Sequence, residues 1–87
     1  MTLSKNTVDS VQDFILEFYT KNFTQEQLTA WAILNLPNYS KDTFYFFKRT
    51  LKLFYFNKSD VYYINLENVK KFWVNSPEFL EKLNGGL

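Results

Sequence analysis

The residues best suited to bind another molecule lie in the segment 40–55. Its apolar residues recur at the three- and four-residue spacing of one helix face, at Phe44, Phe47, Leu51 and Phe54. Its opposite face carries Tyr45, Lys48, Arg49 and Lys52. Lysine and arginine bind phosphate oxygens, and arginine alone can donate two parallel hydrogen bonds to guanine. The spacing therefore predicts a cationic helix face suited to nucleic acid, although a merely solvated face is the alternative.

Other chemistries lack the residues that they need. The chain has no cysteine and no histidine, which excludes disulfides, thiolate metal sites and a Ser-His-Asp triad within it. Its only glycines, Gly85 and Gly86, stand at the end, so no glycine-rich phosphate loop is present. The row Asp9, Asp13 and Glu17 predicts a solvent-facing acidic edge rather than a cation site. We expect no enzyme, no cofactor and no metal.

Charge is unevenly distributed along the chain, although the net charge is only +1. Residues 1–40 hold two lysines and four carboxylates, and residues 76–87 hold one lysine and two carboxylates. Residues 41–75 hold seven cations and three carboxylates. The positive charge is thus concentrated around the cationic helix face, as expected of a nucleic-acid-binding surface.

The length of 87 residues indicates one small domain, with a core at about 8–74 and a last helix at about 77–84. No segment approaches a membrane span and no N-terminal signal pattern is present, so we expect a cytoplasmic protein without a membrane partner. Abundant Lys, Asn, Phe and Tyr are typical of an AT-rich genome, such as that of a phage or mobile element.

Three helices are predicted in the first half of the chain. The first spans about Val8–Lys21, with Asn6 or Thr7 as its N-cap. The second begins at a capping box of Thr24 and Gln27 and stops before Pro37. The third spans about 41–54 and is capped by Ser40.

A hairpin and two further helices are predicted in the second half. Residues 53–56 and 61–64 resemble strands joined by the polar residues 57–60, although 53–56 could equally extend the third helix. Asn65 is the expected cap of a fourth helix. Pro77 begins a fifth helix, which Gly85 ends.

This order of elements, over residues 8–74, resembles the winged-helix (winged helix-turn-helix) family, which is mainly α with a small β-hairpin. The chain would have about five helices and one hairpin. The resemblance implies that the third helix enters the DNA major groove and that the hairpin contacts the backbone. Carried onto this chain, it implicates Tyr45, Lys48, Arg49, Lys52 and Lys58. The turn before the third helix departs from the family because it contains Pro37 and no glycine.

The leading hypothesis is a double-stranded DNA-binding protein, a regulator or a replication or recombination accessory of a mobile element. Its expected contacts are Lys41, Tyr45, Lys48, Arg49, Lys52, Lys58 and Lys70. So few cations predict weak binding by a monomer, so we expect a homodimer or a larger protein partner. The alternatives are a protein-interaction module, such as a phage-type inhibitor, and a single-stranded DNA binder.

The tryptophans and tyrosines differ in their expected roles. Trp31 and Trp73 lie on apolar stripes and are predicted in the core. Tyr45, Tyr55 and Tyr62 could stack on unpaired bases or bond phosphates, but a hairpin packed on helices ordinarily has tyrosines at its half-buried rim, and this structural interpretation is preferred.

Overall fold

The computed structural model describes the backbone of residues 5–85 and the side chains of residues 7–84. Within this range the chain forms five α-helices and one antiparallel hairpin, which confirms the prediction of a mainly α fold with a small hairpin. The elements are α1 (Lys5–Phe18), α2 (Gln25–Asn35), α3 (Lys41–Leu51), a 3₁₀ turn (Lys52–Phe54), β1 (Tyr55–Lys58), β2 (Val61–Ile64), α4 (Leu66–Phe72) and α5 (Pro77–Gly85).

The starts of α2, α3 and α4 follow from local side-chain caps, as predicted. At α2, the Thr24 hydroxyl accepts the Gln27 N–H at 3.2 Å and the Gln27 side chain accepts the Thr24 N–H at 2.8 Å. Ser40 caps α3 by accepting the Thr43 N–H at 3.1 Å, and Thr43 returns the bond at 2.7 Å. Each pair satisfies backbone donors that the first helical turn leaves free. Asn65 likewise caps α4.

The predicted bounds of α1 were wrong at both ends. Asn6 and Thr7 lie inside the helix, which already includes Lys5, so neither is its N-cap. The helix also ends at Phe18, three residues before the predicted Lys21. The chain must become extended by Phe23, because the backbone of Phe23 pairs with that of Tyr62.

The hairpin begins later than predicted. The helical repeat continues to Phe54, which is buried, and β1 starts at Tyr55 rather than at residue 53. The connection is a two-residue turn, Ser59–Asp60, instead of four residues. Both turn residues have positive φ, 57° and 66°, which is the backbone that a two-residue hairpin favours. The Asn57 side chain accepts the Asp60 N–H at 3.1 Å.

A backbone bridge fixes the hairpin to the helical part of the chain. The Phe23 N–H donates to the Tyr62 carbonyl at 3.0 Å, and the Tyr62 N–H donates to the Phe23 carbonyl at 2.8 Å. The backbone groups of Tyr62 therefore point away from β1. Its cross-strand partner Asn57 must then occupy a non-hydrogen-bonded position, with its own backbone groups facing the outer edge of β1.

The core is built mainly from aromatic rings. Phe14 is fully buried, with ring centroids 4.5 Å from Phe18, 4.9 Å from Phe23, 5.2 Å from Trp31 and 5.9 Å from Phe47. These contacts join α1, α2 and α3. The buried apolar residues are Val11, Phe14, Ile15, Phe18, Phe23, Leu28, Ala32, Phe47, Leu51, Phe54, Ile64, Val69, Trp73, Phe79 and Leu83.

The two tryptophans differ in burial. Trp73 is buried as predicted, 4.7 Å from Phe54 and 4.9 Å from Phe79 between ring centroids. Trp31 is only half-buried, although its ring stacks on Phe47 at 5.5 Å. The first tryptophan thus covers the edge of the core instead of lying inside it.

Candidate nucleic-acid interface

An open groove of about 980 Å³ runs between α3 and the hairpin. α3 ends in a 3₁₀ turn that leads directly into β1, and residues of α3, of this turn and of both strands line the groove. The residues that line it are Gln25, Lys41, Phe44, Tyr45, Lys48, Arg49, Lys52, Tyr55, Asn57 and Tyr62.

Four cations share the helical wall of this groove: Lys41, Lys48, Arg49 and Lys52. Lys48, Arg49 and Lys52 follow Lys41 by seven, eight and eleven residues. Residues at these intervals lie on the same side of a helix. Lys48 is half-buried, with its ammonium 5.2 Å from the centroid of the Phe44 ring, while the other three are exposed. Cation–π contact holds the Lys48 side chain along the wall.

The groove has a single sign of charge. Its lining residues include no carboxylate. In residues 5–85, none of the four cations forms an ion pair. Like charges gathered on one concave surface, without compensating acids, produce a positive potential that attracts anions.

The hairpin side supplies two tyrosine rings. Tyr55 and Tyr62 are half-buried on the same face of the hairpin, with ring centroids 4.9 Å apart. Both pack on Phe23, at 5.7 Å and 5.6 Å between centroids. Burial raises the pKa of Tyr55 above its ordinary value of 10.0, and the nearby Tyr62 raises it further. The raised pKa of Tyr55 favours the protonated hydroxyl, which can donate a hydrogen bond to an anion.

The outer edge of β1 adds backbone donors. Asn57 lines the groove, and its backbone groups face away from β2. In the part of the chain that the structure describes, no third strand pairs with this edge. Backbone N–H groups of this kind commonly contact phosphate oxygens in protein–DNA complexes.

The structure brings five of the seven predicted contact residues together in the groove: Lys41, Tyr45, Lys48, Arg49 and Lys52. Tyr45 stands at its mouth, 59% exposed. Lys58 and Lys70 are exposed but lie outside the lining. Lys58 is the last residue of β1, one residue before the turn and on the hairpin face opposite Tyr55; Lys70 lies on α4.

Sequence reasoning missed part of the lining. Gln25 and Asn57 were not predicted, and Phe44 was assigned only to the core stripe although it also faces the groove. Tyr55 and Tyr62 also line the groove, although they are not among the seven predicted contacts. The alternation of the strands indicates that these two rings share a face, whereas nothing in the local sequence of Gln25 indicates its position.

A second surface depression, between α1 and α5, differs in character. It measures about 430 Å³ and contains Asp13, Glu78 and Lys82, so both signs of charge are present. The acidic row of Asp9, Asp13 and Glu17 is exposed, and no cluster of three metal-binding side chains occurs among the described residues. No helix in the same part of the chain is both long and apolar enough to cross a membrane.

Comparison of the chain with protein-family models, with curated proteins and with solved structures found no significant match. The interpretation of the groove therefore rests on its own residues.

Proposed function

We propose that this protein is a non-enzymatic DNA-binding protein that holds the phosphate backbone of a duplex in the groove between α3 and the hairpin. The observation that carries the proposal is the charge of the α3 wall: Lys41, Lys48, Arg49 and Lys52 line one groove with no carboxylate among the lining residues. All four cations suit phosphate contacts, and the guanidinium fork of Arg49 also suits a guanine edge.

The order of elements supports a winged-helix interpretation of the same site. The cationic helix is the third in the chain, and a hairpin follows it directly. In this interpretation α3 enters the major groove, and the hairpin lies along the neighbouring backbone. The most suitable role is that of a regulator or of a replication or recombination accessory encoded by a mobile element, acting in the cytoplasm.

Four phosphate contacts give modest affinity, so we include a second protomer or a larger protein partner in the proposal. Large apolar side chains outside the groove are exposed and could be covered by such a partner. They include Ile33, Leu34, Phe56, Phe72 and Val74.

Charge reversal tests the proposal most directly. Arg49 and Lys52 are exposed, so Arg49→Glu with Lys52→Glu should leave the fold intact. Loss of two phosphate contacts should weaken duplex binding roughly 50-fold at about 0.1 M salt, measured by fluorescence anisotropy. The matched control, Lys71→Glu with Lys82→Glu, makes the same change of net charge at exposed residues outside the groove.

Equal loss of affinity in both variants would mean that net charge, and not the groove, governs binding. If the wild-type protein binds neither duplex nor single-stranded DNA at low salt, the protein-interaction alternative replaces DNA binding. In that case the exposed apolar residues outside the groove become the better candidate site.

A further inference from the structure

We infer that the groove takes unpaired nucleotides, so that the preferred ligand is a DNA duplex with a single-stranded extension. This inference rests on the proposed function, because it assumes that DNA occupies the groove. It adds a role for the tyrosine rings of the hairpin that line the groove, Tyr55 and Tyr62. Contact with a duplex backbone alone gives these rings no role.

The rings and the cations of the groove differ in exposure. Arg49 and Lys52 are exposed, whereas Tyr55 and Tyr62 are half-buried. Arg49 and Lys52 therefore lie at the outside of the groove, and we call the two more buried tyrosine rings its floor; Lys48 is half-buried as well. Tyr45, at the mouth, places a third ring on the same surface.

Unpaired bases, unlike those of a duplex, can contact the tyrosine rings of the floor. In a duplex the flat faces of the bases are covered by their stacked neighbours, so a protein meets only phosphates, sugars and base edges. An unpaired base has a free face that can stack on a tyrosine while its phosphate meets a cation. A positive groove with aromatic rings is the usual form of a single-strand site.

The two tyrosine rings of the floor are held in place by Phe23. Tyr55 and Tyr62 are tilted by 50° to each other, and each rests on Phe23. Because the Phe23 ring contacts both tyrosine rings and its backbone is hydrogen-bonded to that of Tyr62, the rings are already positioned before a ligand arrives. Such preorganisation lowers the entropy cost of binding.

The experiment compares three labelled DNAs with the wild-type protein: a blunt duplex, the same duplex with a short single-stranded extension, and the extension strand alone. The extension carries the fluorescent base 2-aminopurine. We expect about tenfold tighter binding of the extended duplex than of the blunt one, since stacking one base contributes a factor of that order. We also expect quenching of the 2-aminopurine fluorescence when its base stacks on a ring.

Adjacent tyrosines on opposite hairpin faces provide matched variants. Tyr62→Leu removes a groove ring and should abolish the preference for the extension and the quenching. Tyr63→Leu makes the same change on the face where Tyr63 stacks on Phe56, at 5.5 Å, and should preserve both. Folding of each variant is checked by circular dichroism.

The outcomes separate this inference from the proposed function. If the blunt duplex binds with the expected sensitivity to Arg49 and Lys52 but the extension adds neither affinity nor quenching, only the inference about unpaired nucleotides is overturned. This wild-type comparison decides the matter even if Tyr62→Leu does not fold. If Arg49→Glu with Lys52→Glu does not weaken the binding of any of the three DNAs, the proposed function itself is overturned.

Discussion

Salt dependence can show how many cations of this protein meet DNA. Each phosphate neutralised by a lysine or arginine changes the slope of log K against log salt by about −0.9 for duplex DNA. The groove contains four cations, and two more predicted contacts, Lys58 and Lys70, lie outside it. Contact with the groove alone predicts a slope of about −3.6 per bound protomer, whereas contact with all six cations predicts about −5.4.

These slopes correspond to measurable losses of affinity. Raising the salt from about 50 mM to about 200 mM should weaken binding roughly 150-fold with four contacts and roughly 1,800-fold with six. Lys52→Gln should reduce the slope to about −2.7, because it removes one of the four groove contacts. Fluorescence anisotropy titrations of a duplex at several salt concentrations supply the slope, and sedimentation supplies the number of protomers bound.

Lysines inside and outside the groove should differ in their effect on the salt slope. Lys58→Gln and Lys70→Gln should each leave the wild-type slope unchanged, because neither residue lines the groove. A reduction of about 0.9 in either variant, equal to that of Lys52→Gln, would refute a DNA path confined to the groove. It would instead favour a path that continues over the hairpin tip or α4.

Three further predictions concern the scaffold. Phe14→Ala should lower the free energy of unfolding by about 3–5 kcal/mol, because Phe14 is fully buried against four other rings; urea denaturation measures this, and a loss below about 1 kcal/mol would contradict the packing. Asp60→Gly should raise it by about 1 kcal/mol in the same assay, since Asp60 has a φ of 66° that glycine adopts without strain; a decrease would argue against this turn. The raised pKa of Tyr55 predicts how stability depends on pH. As pH rises above 10, the Tyr55 hydroxyl loses its proton more readily in the unfolded chain, so the free energy of unfolding falls until the pH passes the folded pKa. Tyr55→Phe should reduce that decline in urea midpoints measured from about pH 9 to pH 11, and an unchanged decline would assign it to other groups.

The starts of α2, α3 and α4 could be predicted from sequence because each depends on a capping residue next to it. Ser40 and Asn65 form the caps that their positions indicate. The start of β1 could not be placed in the same way, because Phe54 continues the helical stripe of α3 while also fitting an aromatic strand. Burial of Phe54 against Trp73 decides for the helical conformation, and that contact joins distant parts of the chain.

In the candidate site, too, the part that depends on local sequence could be predicted, and the part that depends on long-range contacts could not. The cationic wall follows from helix periodicity within α3, and the structure places those cations on one side as expected. The opposite side of the groove depends on how the hairpin is oriented toward α3. That orientation is fixed by the bridge between Phe23 and Tyr62, two residues that are far apart in sequence and carry no local signal of pairing.

Phe23 therefore connects the stability of the fold to the geometry of the groove. Its backbone holds β2 in place, and its ring contacts Phe14 in the core on one side and both Tyr55 and Tyr62 on the other. A smaller side chain at this position would create a cavity beneath the tyrosine floor while leaving the cations of α3 exposed. Electrostatic attraction of DNA and aromatic contact with it are thus separable in this protein, because one depends on a helix face and the other on a ring that supports the hairpin.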